Sequence, residues 1–219
     1  ALTSTSAAPR KFPACSWMIL PSAASDLALL EAGAREAGAI AREGFGRTVE
    51  TWSKGAAGPV TEIDLAIDAL LTERLRGARP EYGWLSEETT DNEDRLTRPR
   101  TFIIDPLDGT RAFLAGKPEF CISLAVVEGD RPIVGCVYNP VLDEMYVGGP
   151  EIAATLNGAP IKASVRADLP GARVIGQTPF FAHKSWPIPW PEMDLGWRNS
   201  IAYRLALISA GVFDGALML

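Results

Sequence analysis

Apolar residues recur with a helical period in the first well-patterned segment of the chain. We expect a helix there, with Ser25 as its N-cap and its end near Phe45. Its apolar face is formed by Leu27, Leu30, Ala34, Ala37 and Ala41. A second helix is predicted to start at Thr61 and to end at residues 77–80. Its apolar face is formed by Ile63, Ile67, Leu70, Leu71 and Leu75.

The middle of the chain shows the patterns of strands. Tyr82–Leu85 predicts a short strand. Residues 101–104 predict a buried strand that ends at Asp105, because Pro106 has no N–H to donate to a ladder. Alternation and turn residues then predict an antiparallel meander and one further hairpin at Asn157-Gly158. The strands of the meander are Phe120–Val127, Pro132–Tyr138 and Glu144–Val147.

The last part of the chain is less regular. Three elements are predicted there: a strand at Val174–Gly176, a helix at Ile201–Ala210 and a final strand at Phe213–Leu219. We expect Ser200 to cap the helix and Gly211 to end it. Pro179–Trp197 is rich in Pro and Trp and receives no assignment. It holds the only histidine, His183, which we interpret as incidental rather than catalytic.

Composition and charge are those of an ordinary globular protein. Of the 219 residues, 47% are hydrophobic and 22% are charged. With a net charge of −6 and no Lys/Arg run, the sequence shows no footprint for nucleic acid. No apolar stretch is long enough to span a membrane. Cys15, Cys121 and Cys136 form no CxxC pair, so we interpret them as buried free thiols of a cytoplasmic protein.

The chain is expected to have three parts. Residues 1–24 form a loose N-terminal extension, whose apolar part is too short for a convincing signal peptide. Met18 within it is a candidate natural start. Residues 25–150 form an N-terminal α+β subdomain, and residues 151–219 form a C-terminal α/β subdomain.

Residues 105–110 (Asp-Pro-Leu-Asp-Gly-Thr) carry the first candidate chemistry. Asp105 and Asp108 place two carboxylates at a strand end, where they can share one hard cation or hold two neighbouring ones. Gly109 lets the backbone come close to a ligand, and the free N–H groups after it can bind an anion. The alternative is an ordinary type I turn, because Asp, Pro and Gly are common turn residues.

Two further acidic positions are candidates, each with a structural alternative. Glu87 follows a predicted strand, and its alternative is a solvated acidic pair with Glu88. Asp64 stands three residues after Thr61, which is the spacing of a capping box at a helix start.

The candidate ligands are all oxygen donors. Glu87, Asp105 and Asp108 are accompanied by no His or Cys, which favours Mg²⁺ or Mn²⁺ over Zn²⁺ or Cu²⁺. Three carboxylates and one backbone carbonyl cannot fill two octahedral shells. Waters and phosphate oxygens must fill the rest, as a phosphoryl-transfer site requires.

Three segments together resemble the inositol monophosphatase family of metal-dependent, lithium-sensitive phosphatases. Residues 105–110 resemble its signature, residues 86–88 (Ser-Glu-Glu) resemble its Gly-Glu-Glu segment, and residues 59–64 (Pro-Val-Thr-Glu-Ile-Asp) resemble its Val-Thr-x-x-Asp segment. The resemblance runs from about Leu27 to the end of the chain and is strong to about Gly158. It implies an α+β fold, a layered α/β sandwich of the sugar-phosphatase type.

The resemblance also implies a set of metal ligands. Glu87, Asp105 and the carbonyl of Leu107 hold a first metal ion. Asp105 and Asp108 contribute to a second ion, and Glu87 also helps to hold a third. Lys54 matches a lysine that is common in a mobile, metal-sensitive loop of the family.

Roles toward substrate follow from the same resemblance. The N–H groups of Gly109 and Thr110, with Asp108 beside them, bind the phosphate. The hydroxyl of Thr110, backed by Asp64, orients the metal-bound water that attacks phosphorus, so Asp64, Thr110 and Glu87 are the implied catalytic residues. The implied activity is Mg²⁺-dependent hydrolysis of a small phosphate monoester.

Inositol monophosphate is the family-typical substrate, but two features of the chain depart from the family. Arg111 stands where inositol phosphatases often carry Thr or Asn, so a 3′(2′),5′-bisphosphate nucleotidase or a histidinol-phosphatase is an alternative with the same chemistry. The chain also ends at Leu219, before a Trp-Asp segment that supplies another aspartate to the second metal in the family, so we expect either a truncated sequence with a shortened C-terminal subdomain or an incomplete site. A non-catalytic, metal-binding regulatory protein is therefore the alternative from another class. The expected partner is a small phosphorylated metabolite, and a homodimer is possible.

Overall fold

The structure is a computed structural model that describes residues 20–55, 58–184 and 186–217. The expected N-terminal extension, with Cys15 and Met18, lies almost wholly outside the described residues. The α-helices are α1 (Ala23–Gly44), α2 (Glu62–Leu71), α3 (Thr110–Leu114), α4 (Thr178–Phe181) and α5 (Ile201–Ser209). The strands are β1 (Thr51–Ser53), β2 (Pro59–Thr61), β3 (Gly83–Ser86), β4 (Thr101–Asp108), β5 (Cys121–Glu128), β6 (Arg131–Asn139), β7 (Glu144–Gly149), β8 (Ile152–Leu156), β9 (Ala159–Pro160), β10 (Arg173–Ile175), β11 (Asp194–Gly196) and β12 (Gly215–Ala216).

A seven-stranded sheet forms the centre, in the order β3-β4-β5-β6-β7-β8-β9. The edge strand β3 is parallel to β4, and every other pair is antiparallel, which confirms the predicted meander. Asn157 and Gly158 have φ values of +50° and +79°, as the predicted hairpin turn requires. The sheet continues to Pro160, beyond the expected boundary at residue 150, and the division into subdomains stays a prediction.

The N-cap expected for α1 at Ser25 is wrong, because Ser22 caps this helix. The backbone of Ser22 is extended, with φ −69° and ψ 156°, and its hydroxyl oxygen accepts the N–H of Ser25 at 3.2 Å. At α2 the capping box is present: the N–H of Thr61 donates to Asp64 at 2.8 Å, and the N–H of Asp64 donates back to the Thr61 hydroxyl oxygen at 3.3 Å. A π-helical turn, Thr72–Arg76, follows α2.

The predicted end of β4 at Asp105 is also wrong, because the strand continues to Asp108. Asp105 pairs with Ser123 and Asp108 pairs with Cys121, so β4 has one more residue than β5 between these pairs. Pro106 lies in this irregular stretch, where its missing N–H costs no regular ladder bond. The bulge therefore carries both aspartates on one strand end.

Helices cover both faces of the central sheet. Successive residues of a strand point to opposite faces, so neighbouring residues pack against different helices. Tyr138 of β6 packs in a core with α1 and α2, whereas its neighbour Val137 packs with Tyr203 and Leu207 of α5. This layering confirms the expected α+β sandwich. The described helices include none that is both long and apolar enough to cross a membrane.

A small parallel sheet, in the order β11-β10-β12, forms the last part of the described chain. The segment that the sequence left unassigned, Pro179–Trp197, contains β11 and all of α4 except its first residue, Thr178. The final predicted strand is reduced to β12, and residues 218–219 lie outside the described residues. Ser200 caps α5 as expected, since its hydroxyl oxygen accepts the N–H of Tyr203 at 2.9 Å.

Candidate active site

The turn between β4 and α3 is built around Gly109. Its φ of +100° is a left-handed conformation that favours glycine. A Cβ at this position would lie 3.0 Å from the carbonyl oxygen of Glu119, 3.1 Å from Cβ of Ser200 and 3.2 Å from Cα of Phe120. Both the backbone conformation and the close contacts therefore favour glycine at this position. Helix α3 starts at the next residue, Thr110, and the first N–H groups of a helix have no acceptor within it.

Asp64 links the start of α2 to this turn. Its side chain is buried, and its Oδ2 atom accepts the N–H and the hydroxyl of Thr61 at 2.8 and 2.5 Å. Its Oδ1 atom lies 3.2 Å from the hydroxyl oxygen of Thr110, which also lies 3.1 Å from the carbonyl oxygen of Leu107. Burial raises the pKa of Asp64, and the hydrogen bonds from Thr61 and Thr110 partly oppose that rise. Asp64 thus caps α2 with one carboxylate oxygen and contacts Thr110, as expected, with the other.

The carboxylates around the end of β4 influence one another strongly. Burial, together with the negative charges of Asp108 and Glu87, raises the pKa of Asp105 to about 9. The Oδ1 atom of Asp105 accepts the N–H of Leu107 at 3.2 Å, which only partly opposes these effects. Glu87 follows β3, the parallel neighbour of β4, so the two strand ends bring their acids together.

The donor set fits a hard divalent cation by its chemistry. Asp105, Asp108 and Glu87 supply carboxylate oxygens, and a cation would relieve the repulsion that raises the pKa of Asp105. Within the described ranges, however, no three acidic, His or Cys side chains are close enough to form a metal cluster. The acids are neighbours but do not converge on a single point.

Asp108 contacts the start of α5, which the sequence did not predict. Its Oδ2 atom accepts the hydroxyl of Ser200 at 2.8 Å and the N–H of Ala202 at 2.6 Å. These partners lie 92 and 94 residues further along the chain, so no local pattern could indicate them. The positive end of the helix dipole also favours a carboxylate in this place.

A cleft of about 230 Å³ opens at this turn. It is lined by Pro59, Glu87, Leu107, Asp108, Gly109, Thr110, Arg111, Asn199 and Ile201. Six of the eight site residues expected from the sequence therefore line one cleft. The other two, Asp64 and Asp105, are not among its lining residues and contact it through Thr110 and Leu107. Asn199 and Ile201 form a wall that the sequence did not indicate.

Glu88 differs from the solvated acid that the sequence allowed. Only 4% of its side chain is exposed, and it forms an ion pair with Lys54. The Nζ atom of Lys54 also lies 3.4 Å from the carbonyl oxygen of Glu87. Burial raises the pKa of Glu88, and Lys54 partly opposes that rise. The loop that carries Lys54 is thus held against the strand end that carries Glu87.

A buried arginine supports the wall at residues 199–201. Arg204 of α5 is 5% exposed, and its Nε atom donates to the carbonyl oxygen of Arg198 at 2.5 Å. Its Nη2 atom donates to the carbonyl oxygen of Asn199 at 3.3 Å, and its guanidinium carbon lies 3.9 Å from the ring centroid of Trp197. Burial lowers the pKa of Arg204, and the charge of Asp108 opposes that effect.

The fold and the acidic turn define an α+β protein of the sugar-phosphatase type. Among solved structures, the extragenic suppressor protein suhB from Bartonella henselae superposes with a TM-score of 0.77 at 27% identity, covering 88% of this chain and 77% of that one. The sequence profile of the inositol monophosphatase family matches residues 24–214. The chain belongs to the inositol monophosphatase family.

The matching relatives include proteins named inositol monophosphatase and proteins named Nus factor SuhB. Inositol monophosphatase 3 of Solanum lycopersicum is 41% identical over 138 residues, which cover 62% of this chain and 52% of that protein. Nus factor SuhB of Haemophilus influenzae is 30% identical over 192 residues, which cover 83% of this chain and 72% of that protein. The chain spans about half the length of the tomato relatives that it matches.

Proposed function

We propose that the protein hydrolyses a small phosphate monoester in a Mg²⁺-dependent reaction, with inositol monophosphate as the leading substrate. The observation that carries this proposal is the contact between the Thr110 hydroxyl and the buried carboxylate of Asp64, at the edge of an acid-lined cleft. Family membership supports the reaction class, since relatives that match the chain bear the name inositol monophosphatase.

Thr110 and Asp64 are suited to hold and deprotonate a water molecule. When the Thr110 hydroxyl donates to Asp64, its oxygen lone pairs are left to accept a hydrogen bond from that water. The raised pKa of Asp64 makes its carboxylate a better proton acceptor than an exposed aspartate. The proton of the attacking water would pass through Thr110 to Asp64, and the ester would yield an alcohol and phosphate.

The other site residues bind the ion and the phosphate. Glu87, Asp105, Asp108 and the carbonyl of Leu107 would hold Mg²⁺, or Mn²⁺ in its place. An ion held at these oxygens would lower the pKa of the attacking water and would stabilise the leaving oxygen. The N–H groups of Gly109 and Thr110, free at the start of α3, would receive the phosphate oxygens.

Arg111 is the residue that would determine the specificity for one phosphate ester over another. It lines the cleft and is exposed, and its Nη2 atom would lie 3.5 Å from a Cβ at Gly58 of the facing loop. A guanidinium in this position suits a leaving group with a second negative charge or a polar ring. The nucleotidase and histidinol-phosphatase alternatives rest on this residue.

A regulatory, non-catalytic function is the second candidate. It is favoured by the match to a protein named Nus factor SuhB, which covers 83% of this chain. In that case the cleft would bind metal or phosphate without turnover. A homodimer and a cytoplasmic location stay predictions.

Phosphate release from a panel of monoesters tests the proposal. We expect release with Mg²⁺ from inositol 1-phosphate, histidinol phosphate or 3′-phosphoadenosine 5′-phosphate, and none with a chelator. Asp108→Asn should lower turnover by about 100-fold or more, because a neutral amide is a poor ligand for a dication. The fold should persist, since the amide oxygen can still accept from Ser200 and Ala202.

Asp130→Asn is the matched control, because Asp130 is an exposed aspartate in the turn between β5 and β6. It should retain full turnover. A folded wild-type protein that releases no phosphate from any ester would contradict the enzymatic proposal and favour the regulatory one. Normal turnover in Asp108→Asn would contradict the metal assignment alone.

The substrate preference is tested by Arg111→Thr. If Arg111 contacts the leaving group, the ranking of the three esters should change, with the largest loss for the ester that carries the most negative charge. The measurement is kcat/KM for each ester with the wild type and the variant. An equal loss for all three would show that Arg111 has no part in selecting the substrate.

A further inference from the structure

A second cleft, also of about 230 Å³, lies beside the edge strand β3. It begins near Gly83, where β3 starts, whereas Glu87 of the candidate active site follows the other end of this strand. Its lining includes Arg76, Arg95 and Arg98 but a single acid, Asp94. Basic residues thus outnumber acidic ones in the lining of this cleft, although the net charge of the chain is −6.

One wall of this cleft is firmly built. Gly83 allows the backbone of Arg95 to approach β3, since a Cβ at Gly83 would lie 2.8 Å from Cα of Arg95. The guanidinium of Arg95 is fixed by two bonds to the carboxylate of Asp91, at 2.7 and 2.8 Å. The Arg95 carbonyl oxygen accepts the N–H of Arg98 at 3.2 Å, so the backbone of Arg98 is held as well.

The other two arginines keep their charge available. Neither Arg76 nor Arg98 forms an ion pair with any residue in the described ranges, and both are exposed. Nearby Arg79 and Arg100, in contrast, both pair with Asp26. Two unpaired guanidinium groups that line one small cavity form an attractive site for an anion with several oxygens, because their N–H forks match the geometry of phosphate.

Trp84 is also a lining residue of the cleft, and its side chain has an unsatisfied donor. Trp84 is 8% exposed, and its indole N–H has no hydrogen-bond acceptor within the described ranges. Buried donors without a partner are rare in native proteins. An acceptor for this N–H is therefore still missing beside a cleft that carries positive charge.

We propose that the cleft between Arg76, Arg98 and Trp84 binds a small phosphate-bearing anion, either orthophosphate or the phosphoryl group of a metabolite. The Asp94 carboxylate, which accepts a bond from Asn92 at 3.3 Å, sets a limit on how close the anion comes to that wall. This proposal does not depend on the proposed hydrolysis, because its residues are separate from those of the candidate active site.

The test is a titration followed by the indole N–H signals of the full chain in ¹H–¹⁵N NMR spectra, with a chelator present. Without a divalent cation, the acids of the candidate active site repel phosphate, so a response reports on the second cleft. Trp84→Phe removes one indole signal and thereby assigns it. We expect orthophosphate to shift this signal saturably. Glycerol 3-phosphate, titrated in parallel, identifies the source of the anion, since the tighter of the two probes is the better ligand.

Arg76→Gln/Arg98→Gln should weaken the binding by about tenfold or more, because the anion loses two charged hydrogen-bond donors. Both residues are exposed, so the fold should persist, as an unchanged spectrum outside the cleft would show. Arg131→Gln, which removes an exposed arginine of β6, is the matched control and should bind like the wild type. The proposal is overturned if the Trp84 signal does not move, or if it moves equally in the double variant.

Discussion

Arg204 is a buried cation whose partners are backbone carbonyl groups and an aromatic ring rather than a carboxylate. Within the described ranges it forms no ion pair, although it is 5% exposed. A buried charge is costly unless its hydrogen bonds are satisfied. The carbonyls of Arg198 and Asn199 and the ring of Trp197 satisfy it, and in return Arg204 fixes the wall of the cleft that Asn199 lines.

Arg204→Met should therefore loosen this wall. We expect KM for the best ester to rise several-fold with a smaller change in kcat, and the free energy of unfolding to fall by about 1–3 kcal/mol from lost hydrogen bonds and stacking. Arg204→Lys should show nearly the same losses in KM and stability as Arg204→Met, because lysine cannot donate to two carbonyl groups while it stacks on the ring. Steady-state kinetics and urea unfolding measure both effects. A fall in stability with unchanged KM would make Arg204 purely structural.

Residue-level prediction succeeded where the signal is local. Thr61 and Asp64 stand three residues apart, and the structure confirms the capping box that this spacing indicates. Arg204 gave no signal, because its partners are backbone groups of a segment with no recognisable pattern. Asp64 also shows that a structural interpretation and a functional one can both hold, since each oxygen has its own partner.

At the level of elements, the bulge of β4 and the turn at Gly109 place the site. The bulge was not predicted, because Pro106 reads equally well as the end of a strand. The parallel pairing of β3 with β4 was not predictable either, as it depends on a connection of 14 residues without regular alternation. The antiparallel meander was predictable, because each turn and each alternating strand lies next to its partner in sequence.

Gly109→Ala tests the role of this turn. The left-handed φ and the contacts at 3.0–3.2 Å should together cost about 2 kcal/mol or more in the free energy of unfolding, and phosphate release should fall with it. Gly129→Ala is the matched control: its φ is +63°, but nothing lies within 4 Å of an added Cβ. Urea unfolding of both variants separates backbone strain from crowding. Equal losses in the two variants would show that the close contacts contribute nothing.

For the whole molecule, the acids at the end of β4 should make stability depend on pH. Burial and two neighbouring charges raise the pKa of Asp105 from its ordinary 3.8 to about 9 in the folded protein. Between these values the unfolded chain has released the proton that folded Asp105 retains. The free energy of unfolding should therefore fall as pH rises from about 4 to about 9 when no divalent cation is present.

Asp105→Asn should flatten this part of the curve and leave the metal-free variant more stable than the wild type at pH 8. The measurement is urea unfolding in chelator at pH 5 and pH 8. Asp130→Asn, an exposed control, should keep the slope of the wild type. A wild-type slope in Asp105→Asn would mean that other groups cause the dependence.

The hydrogen bonds between Asp108 and the start of α5 couple the free energy of ligand binding at Asp108 to the free energy of docking of α5. A ligand that alters the charge or position of this carboxylate must also change the free energy of docking of α5. The docking of α5 changes the binding free energy of that ligand by the same amount. Reciprocity of this kind needs no moving lid. It implies that a partner that binds α5 and changes how it docks would change the affinity of the cleft for its ligand without contacting the cleft.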